Sequence, residues 1–160
     1  VLAMANQPSY NPNDRARLNP HQLRNRAITD LIEPGSTVKP FTMIAALETG
    51  RYHPKTKINT SPGYLRVDWK TFLDPKNYGL IDLTTVIKKS SQVGISKLAL
   101  DMEPNSVRST LFRMGLGQST GIGLPGERIG VLQSRAVLNK IERATLAFGH
   151  GLSVTPLKQP

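Results

Sequence analysis

The chain contains no cysteine. That excludes disulfides, thiolate metal sites and a cysteine nucleophile, while leaving the compartment open. Aromatic residues are scarce, 6% of 160 residues with a single tryptophan. They do not alternate with basic residues as they do in proteins that stack on single-stranded nucleic acid. Acidic residues are also few, 11 against 21 Lys and Arg, for a formal net charge of +10. Such an excess favours anionic partners in general. The positive charge is spread along the chain, however, and Lys88-Lys89 and Arg24–Arg26 are the nearest approach to clusters. No nucleic-acid partner is expected. No stretch approaches the roughly 20 apolar residues of a membrane span, and the chain does not open on the charged and apolar segments of a secretion signal. His21, His53 and His150 lack metal-ligand spacing, so structural or exposed roles are expected for them.

What remains is a globular composition, 38% hydrophobic and 20% charged, with enough length for one domain with its own core. Val1-Leu2-Ala3-Met4-Ala5 reads as a strand already under way. The segment Asn6–Asn19, rich in proline and asparagine, reads as an extended surface loop. From Ser36 the pattern turns helical: Val38, Phe41, Ile44, Ala45 and Leu47 share a face, and Gly50 closes the helix. Pro54, Pro62, Gly63 and Pro75 break the following region into loops around one short hairpin at Tyr64–Trp69, with Tyr64 and Trp69 packing or lining its surface. Asp82 is placed to cap a helix over Leu83–Lys89. A second helix carries Val93, Ile95, Leu98, Ala99 and Met102, and a third runs over Ser106–Met114 after Asn105 and ends at Gly115. Gly115–Gly130 reads as loop, Glu142–Phe148 as helix, and Thr155-Pro156 as the start of another helix cut off after a few residues. The chain therefore reads as a fragment.

Chemistry concentrates in Glu33-Pro34-Gly35-Ser36-Thr37-Val38-Lys39-Pro40. Pro34-Gly35 blocks helix before Ser36, and Pro40 falls in a first turn whose N–H groups have no intrahelical partner. Residues three apart on a helix share a face, so the Lys39 amine is expected to reach the Ser36 hydroxyl, with Thr37 and Val38 pointing away and packing. A serine hydroxyl is a weak nucleophile until a base takes its proton. A lysine serves as that base when burial or nearby positive charge lowers its pKa, and the helix N-terminus places partial positive charge beside a developing oxyanion. Ser-x-x-Lys arises by chance roughly once in every few hundred positions, and the bland reading is a helix cap beside a solvated lysine. Ser90-Ser91-Gln92, between two predicted helices, supplies a second element. Serine β-lactamases and penicillin-binding proteins combine a Ser-x-x-Lys, a Ser-x-Asn-type triplet and a Lys-Thr-Gly. Here the first is present, the second is present with a change, and the third is absent.

On these residues the chain resembles the class B penicillin-binding proteins of cell division, the FtsI family of septal peptidoglycan D,D-transpeptidases. The resemblance rests on Arg24-Asn25-Arg26-Ala27-Ile28-Thr29-Asp30 running into Glu33–Phe41, and on Lys89-Ser90-Ser91-Gln92-Val93-Gly94-Ile95-Ser96-Lys97. Gly126-Glu127-Arg128 and Ile141–Thr155, with Phe148-Gly149-His150-Gly151-Leu152, extend it from about Leu2 to Leu157. The Glu33-Pro34-Gly35 lead-in suits the division branch better than the elongation branch.

The resemblance implies an α+β fold: the helical part of the β-lactamase and penicillin-binding-protein transpeptidase fold, with little of its central antiparallel sheet. Residues 1–160 would be the N-terminal half of that domain. It implies that Ser36 attacks the carbonyl of the penultimate D-alanine of a stem peptide, that Lys39 is the general base, and that Ser90 relays a proton toward the leaving amine. Ser91 and Gln92 would contact substrate. The implied partners are stem peptides ending in D-Ala-D-Ala, β-lactam antibiotics, and division-complex membrane proteins including a septal glycosyltransferase. No cofactor and no metal are implied. The implied location is the periplasmic face of the bacterial inner membrane, with an N-terminal anchoring helix outside this sequence. The family's triplet is Ser-Ser-Asn, so Gln92 keeps the amide but displaces it by one methylene, enough to disturb positioning. The family's Lys-Ser/Thr-Gly strand, which forms one wall of the cleft, would lie beyond residue 160. Two alternatives stay open: a serine β-lactamase or D,D-carboxypeptidase, and a non-catalytic basic module that binds anionic polymer or division partners, with Gln92 as the mark of lost activity.

Overall fold

The computed structural model describes residues 1–135 and 137–160. Its centre is a helix that neighbours cover on most of its faces, leaving Lys97 and Asp101 toward solvent. This is α4, Gln92–Asp101, in which Val93, Gly94, Ile95, Ser96, Leu98 and Ala99 are all buried. Around it lie α1 (Arg26–Thr29), α2 (Lys39–Glu48), α3 (Leu83–Lys88), α5 (Ser106–Arg113) and α6 (Lys140–Leu146). The strands are β1 (Lys57–Asn59), β2 (Tyr64–Val67), β3 (Lys70–Leu73) and β4 (Leu80–Asp82). Helices α2, α3 and α6 and strands β1, β2 and β3 all touch α4.

The sheet content is small and nested. β1 pairs antiparallel with β4, Ile58 opposite Ile81, and the loop joining them carries the β2–β3 hairpin, Leu65 opposite Phe72. Within the hairpin Val67 and Phe72 turn inward while Tyr64, Arg66 and Thr71 face out, the alternation expected of a half-buried pair. Phe72 meets Phe148 edge-on, with centroids 5.6 Å apart, a favoured aromatic geometry. This tacks the hairpin onto the segment after α6.

Several buried polar side chains bond across elements. The Thr42 hydroxyl on α2 donates to Ala147 O at 2.9 Å, and the Ser96 hydroxyl on α4 donates to Ala144 O at 3.2 Å. Arg143 of α6 reaches the C-terminal end of α4, where its Nη2 donates to Ala99 O (3.0 Å), Leu100 O (3.1 Å) and Met102 O (2.6 Å). A cation there meets carbonyls that lack intrahelical donors and the negative end of the helix dipole.

Several sequence expectations shift. Val1–Ala5 forms no strand; the segment is held at Asn6, whose side chain donates to Asn25 Oδ1 and accepts from Ala27 N. A strand exists only through a partner's ladder, and Asn6 instead caps the single turn of α1. The helix expected from Ser36 opens as a 3-10 turn, Gly35–Val38, before α2 proper. Its buried residues are Val38, Lys39, Thr42, Ala45 and Ala46, with Leu47 left 38% exposed, because small residues let α2 approach its neighbours closely. α6 starts two residues before the expected Glu142, since Asn139 and Glu142 form a reciprocal capping box. The element after Thr155 is one 3-10 turn, Pro156–Lys158. Trp69, at the hairpin tip, is 79% exposed and does not pack.

Arg143→Met keeps the aliphatic stem and removes the donor to α4. It is expected to lower unfolding stability by about 2 kcal/mol, the scale of hydrogen bonds to a charged group, measured as a fall in the denaturant midpoint with unchanged slope.

Candidate active site

Ser36 and Ser90 lie at the surface, and the Lys39 amine lies beneath them. The Lys39 side chain is 2% exposed. Its Nζ donates to Ser90 O at 2.5 Å and to Ser90 Oγ at 2.7 Å. Ser90 Oγ in turn lies 3.2 Å from Ser36 Oγ, donating to it. The expected Ser36–Lys39 pairing is thus indirect: Ser90 is the link, and the three side chains form one hydrogen-bonded chain. Burial pushes the Lys39 amine below its usual pKa, partly opposed by the charge of Asp74. A buried amine disfavours its charged form, so Lys39 is biased toward the neutral state in which it accepts a proton.

Ser90 earns its position from helix-end geometry. After α3 the Ser90 N–H bonds Ile87 O and the Ser91 N–H bonds Val86 O, the double closure of a Schellman end. The residue at that bend needs a left-handed backbone and is usually glycine. Here it is Ser90, with φ 52°. A serine accepts this strained conformation where both its carbonyl and its hydroxyl face the buried amine.

Ser91 faces the other way. It is fully buried; its hydroxyl donates to Asp74 Oδ2 at 2.6 Å and accepts from Gly94 N at 2.8 Å as the cap of α4. Both hydrogen-bonding roles of the hydroxyl are therefore committed inside the protein, so Ser91 stands behind the site rather than facing a substrate. Gln92 opens α4, half-buried, with its N–H bonded to Asp74 Oδ1 at 2.7 Å.

Asp74 was not expected from the sequence. It ends the β2–β3 hairpin, 9% exposed, and takes donors from Ser91, Gln92 N and Val93 N (3.1 Å). Placed at the start of α4, the carboxylate satisfies N–H groups and complements the helix dipole. The only local signal is a carboxylate between Phe72-Leu73 and Pro75.

A second support lies on the far side of Ser36. Gly35 N donates to Gly149 O at 2.9 Å, and a Cβ on Gly149 would stand 1.9 Å from Gly35 O. Only glycine permits that approach. Thr37 does not pack; it is exposed and its hydroxyl donates to Pro34 O, whereas Val38 is fully buried. Glu33 Oε2 contacts His150 Nδ1 at 3.0 Å, and Glu33 Oε1 accepts from Gly151 N at 3.0 Å.

The whole chain, residues 1–160, matches the family model for the penicillin binding protein transpeptidase domain. The chain belongs to that family. It is 47% identical over 158 residues to the peptidoglycan D,D-transpeptidase FtsI of Escherichia coli K12, covering 99% of this chain and 26% of that protein. The FtsI of Buchnera aphidicola subsp. Schizaphis graminum is 44% identical over 158 residues, 99% of this chain and 28% of the relative. The chain therefore spans about a quarter of the length of these curated relatives. Among solved structures, the apo transpeptidase domain of Burkholderia pseudomallei penicillin-binding protein 3 superposes with a TM-score of 0.81 at 37% identity, covering 86% of this chain and 41% of that one. A Burkholderia ambifaria structure described as a peptidoglycan glycosyltransferase gives 0.81 at 38% identity, with 85% and 43% covered. The mixed helices and small antiparallel sheets are those of part of this α+β fold.

Asp74→Ala leaves the α4 N–H groups and the Ser91 hydroxyl without their acceptor. It is expected to cost about 2–4 kcal/mol of stability. Hydrogen exchange read residue by residue is expected to show the loss first at Gln92 and Val93.

Proposed function

We propose that this chain carries the acylating half of a peptidoglycan D,D-transpeptidase acting at the division septum, with Ser36 as nucleophile. The observation that carries the reading is the continuous link Ser36 Oγ–Ser90 Oγ–Lys39 Nζ, which ends on a buried amine of lowered pKa. With Lys39 neutral, the Ser36 proton passes to Ser90, and the Ser90 proton to Lys39, as Ser36 Oγ adds to the carbonyl of the penultimate D-alanine. On collapse the C–N bond breaks, Ser90 gives its proton to the departing D-alanine amine and takes one back from Lys39, which returns to the neutral state. The amine of a second stem peptide then attacks the ester and frees Ser36. Penicillins acylate Ser36 in the same way. Ser91 acts through the start of α4 rather than by touching substrate, and Gln92 presents its amide at the cleft one methylene further out than asparagine does.

The remaining wall of the site, a Lys-Thr/Ser-Gly strand, is supplied from outside these 160 residues, whose sequence contains neither triplet. The site works at the periplasmic face of the inner membrane, tethered by a segment outside this sequence; no helix among the described residues is long and apolar enough to cross a membrane. Division-complex membrane proteins, a septal glycosyltransferase among them, are its partners there. The reaction assigned to the site is supported by the relatives' name, peptidoglycan D,D-transpeptidase FtsI.

Full-length protein incubated with a fluorescent penicillin is expected to give a long-lived covalent adduct that Ser36→Ala abolishes. Rapid release of the label would overturn the transpeptidase reading in favour of a β-lactamase. The acylation rate is expected to rise with pH as Lys39 loses its proton and to level off below the ordinary lysine value of 10.5. In Asp74→Asn the carboxylate that raises the Lys39 pKa is gone, so the rising limb moves to lower pH. A limb that stays in place would remove Asp74 from the electrostatics of Lys39.

A further inference from the structure

The segment that delivers Ser36 is laced to the segment after α6 by rungs of different kinds. Ile32 and Val154 exchange backbone hydrogen bonds in both directions at 2.9 Å, an isolated antiparallel bridge. Gly35 N donates to Gly149 O, also at 2.9 Å. Between them the backbones do not pair directly, and the Glu33 carboxylate fills the gap. Oε1 takes the Gly151 N–H and Oε2 takes the His150 Nδ1–H, each at 3.0 Å. His150 is steadied from behind by the Phe148 ring, with centroids 5.3 Å apart. Phe148 itself rests on Phe72 of the hairpin that ends at Asp74.

Glu33 and His150 are half-exposed, at 53% and 47% of their side chains, and a polar contact that open to solvent contributes little to stability. Their placement gives them a different task. Glu33 stands three residues before Ser36, joined to it by buried Pro34 and by Gly35 at φ 61°. Gly35 takes a left-handed backbone that glycine adopts at no steric cost, so the direction of the 3-10 turn bearing Ser36 is set by what holds the chain on either side of it. We propose that Glu33 and His150 are positioning residues for the nucleophile: their side-chain rung fixes the Ser36 turn against the loop after α6. The rung keeps Ser36 Oγ within reach of Ser90 Oγ. A small displacement of a reacting group costs far more rate than stability, so a rung worth little to folding controls the acylation step.

This inference rests on Ser36 being the acylated residue, and one set of measurements separates the two. In full-length protein, stopped-flow labelling by a fluorescent penicillin gives the noncovalent affinity and the acylation rate constant separately, both normalised to titrated active sites. Glu33→Ala and His150→Phe are each expected to lower the acylation rate constant about tenfold with noncovalent affinity nearly unchanged. The double variant is expected to be no slower than either single one, because both remove the same rung. Glu33→Gln, which still accepts from Gly151 N, and His150→Gln, which still donates to Glu33, are expected to recover most of the lost rate. The proposal is overturned if the single variants lower only the unfolding midpoint while acylating at the normal rate, or if their losses multiply in the double variant. Persistent labelling of Ser36→Ala would instead bring down the nucleophile assignment itself.

Discussion

A lysine amine almost wholly removed from water is the constraint on which the site depends. An uncompensated ammonium in such a place is costly, and the protein has two remedies: to neutralise it or to surround it with acceptors. Lys39 receives both. Burial lowers its pKa, and Ser90 offers its carbonyl and its hydroxyl to the same nitrogen. The left-handed backbone that closes α3 at Ser90 turns both oxygens toward that nitrogen. The end of one helix is shaped by a side chain at the start of another.

Asp74 sets the opposite pole. Its charge favours the protonated lysine, while its hydrogen bonds hold the first turn of α4 and, through Ser91, the bend in which Ser90 sits. A fully apolar surrounding would drive Lys39 to neutrality so completely that it would make a poor proton acceptor, and efficient acid–base catalysis needs a pKa near the working pH. The carboxylate is close enough to be felt and is engaged by neutral donors rather than by the amine. Desolvation and a nearby charge are thus set against each other on one nitrogen.

Local signals in the sequence carried most of the helices. Asp82 caps α3 with a 2.8 Å bond to Thr85 N, the hairpin falls at Tyr64–Val67 and Lys70–Leu73, and Gly50 ends α2 in a left-handed turn. Turn residues and caps act within a few positions, so a single chain displays them. The proximity of Ser36, Lys39 and Ser90 was legible because their spacing matches a known family. The path between them was not, since helical spacing predicts which residues share a face but not which atom a flexible amine selects. Asp74 and the Glu33–His150 rung were illegible for a different reason. Each joins segments far apart in the chain, and nothing near Asp74 announces the helix N-terminus it will meet. Ser91 misled because a serine in a motif looks the same whether it faces the solvent or caps a helix.

The distances along the chain that separate these partners carry a consequence for folding. Lys39 meets Ser90 across 51 positions, Asp74 meets Ser91 across 17, and Glu33 meets His150 across 117. No short segment contains the site, so forming it requires closure of long loops whose entropy is recovered only by burial of the core around α4. Local fraying of α2 or α4 would expose the amine and dissolve the Ser36–Ser90–Lys39 chain together. The reactive arrangement is therefore a property of the folded core and has no independent local existence. Its supports are accordingly the buried Asp74 carboxylate, a glycine contact, helix ends and the Glu33–His150 pair, each of which joins segments distant in the chain.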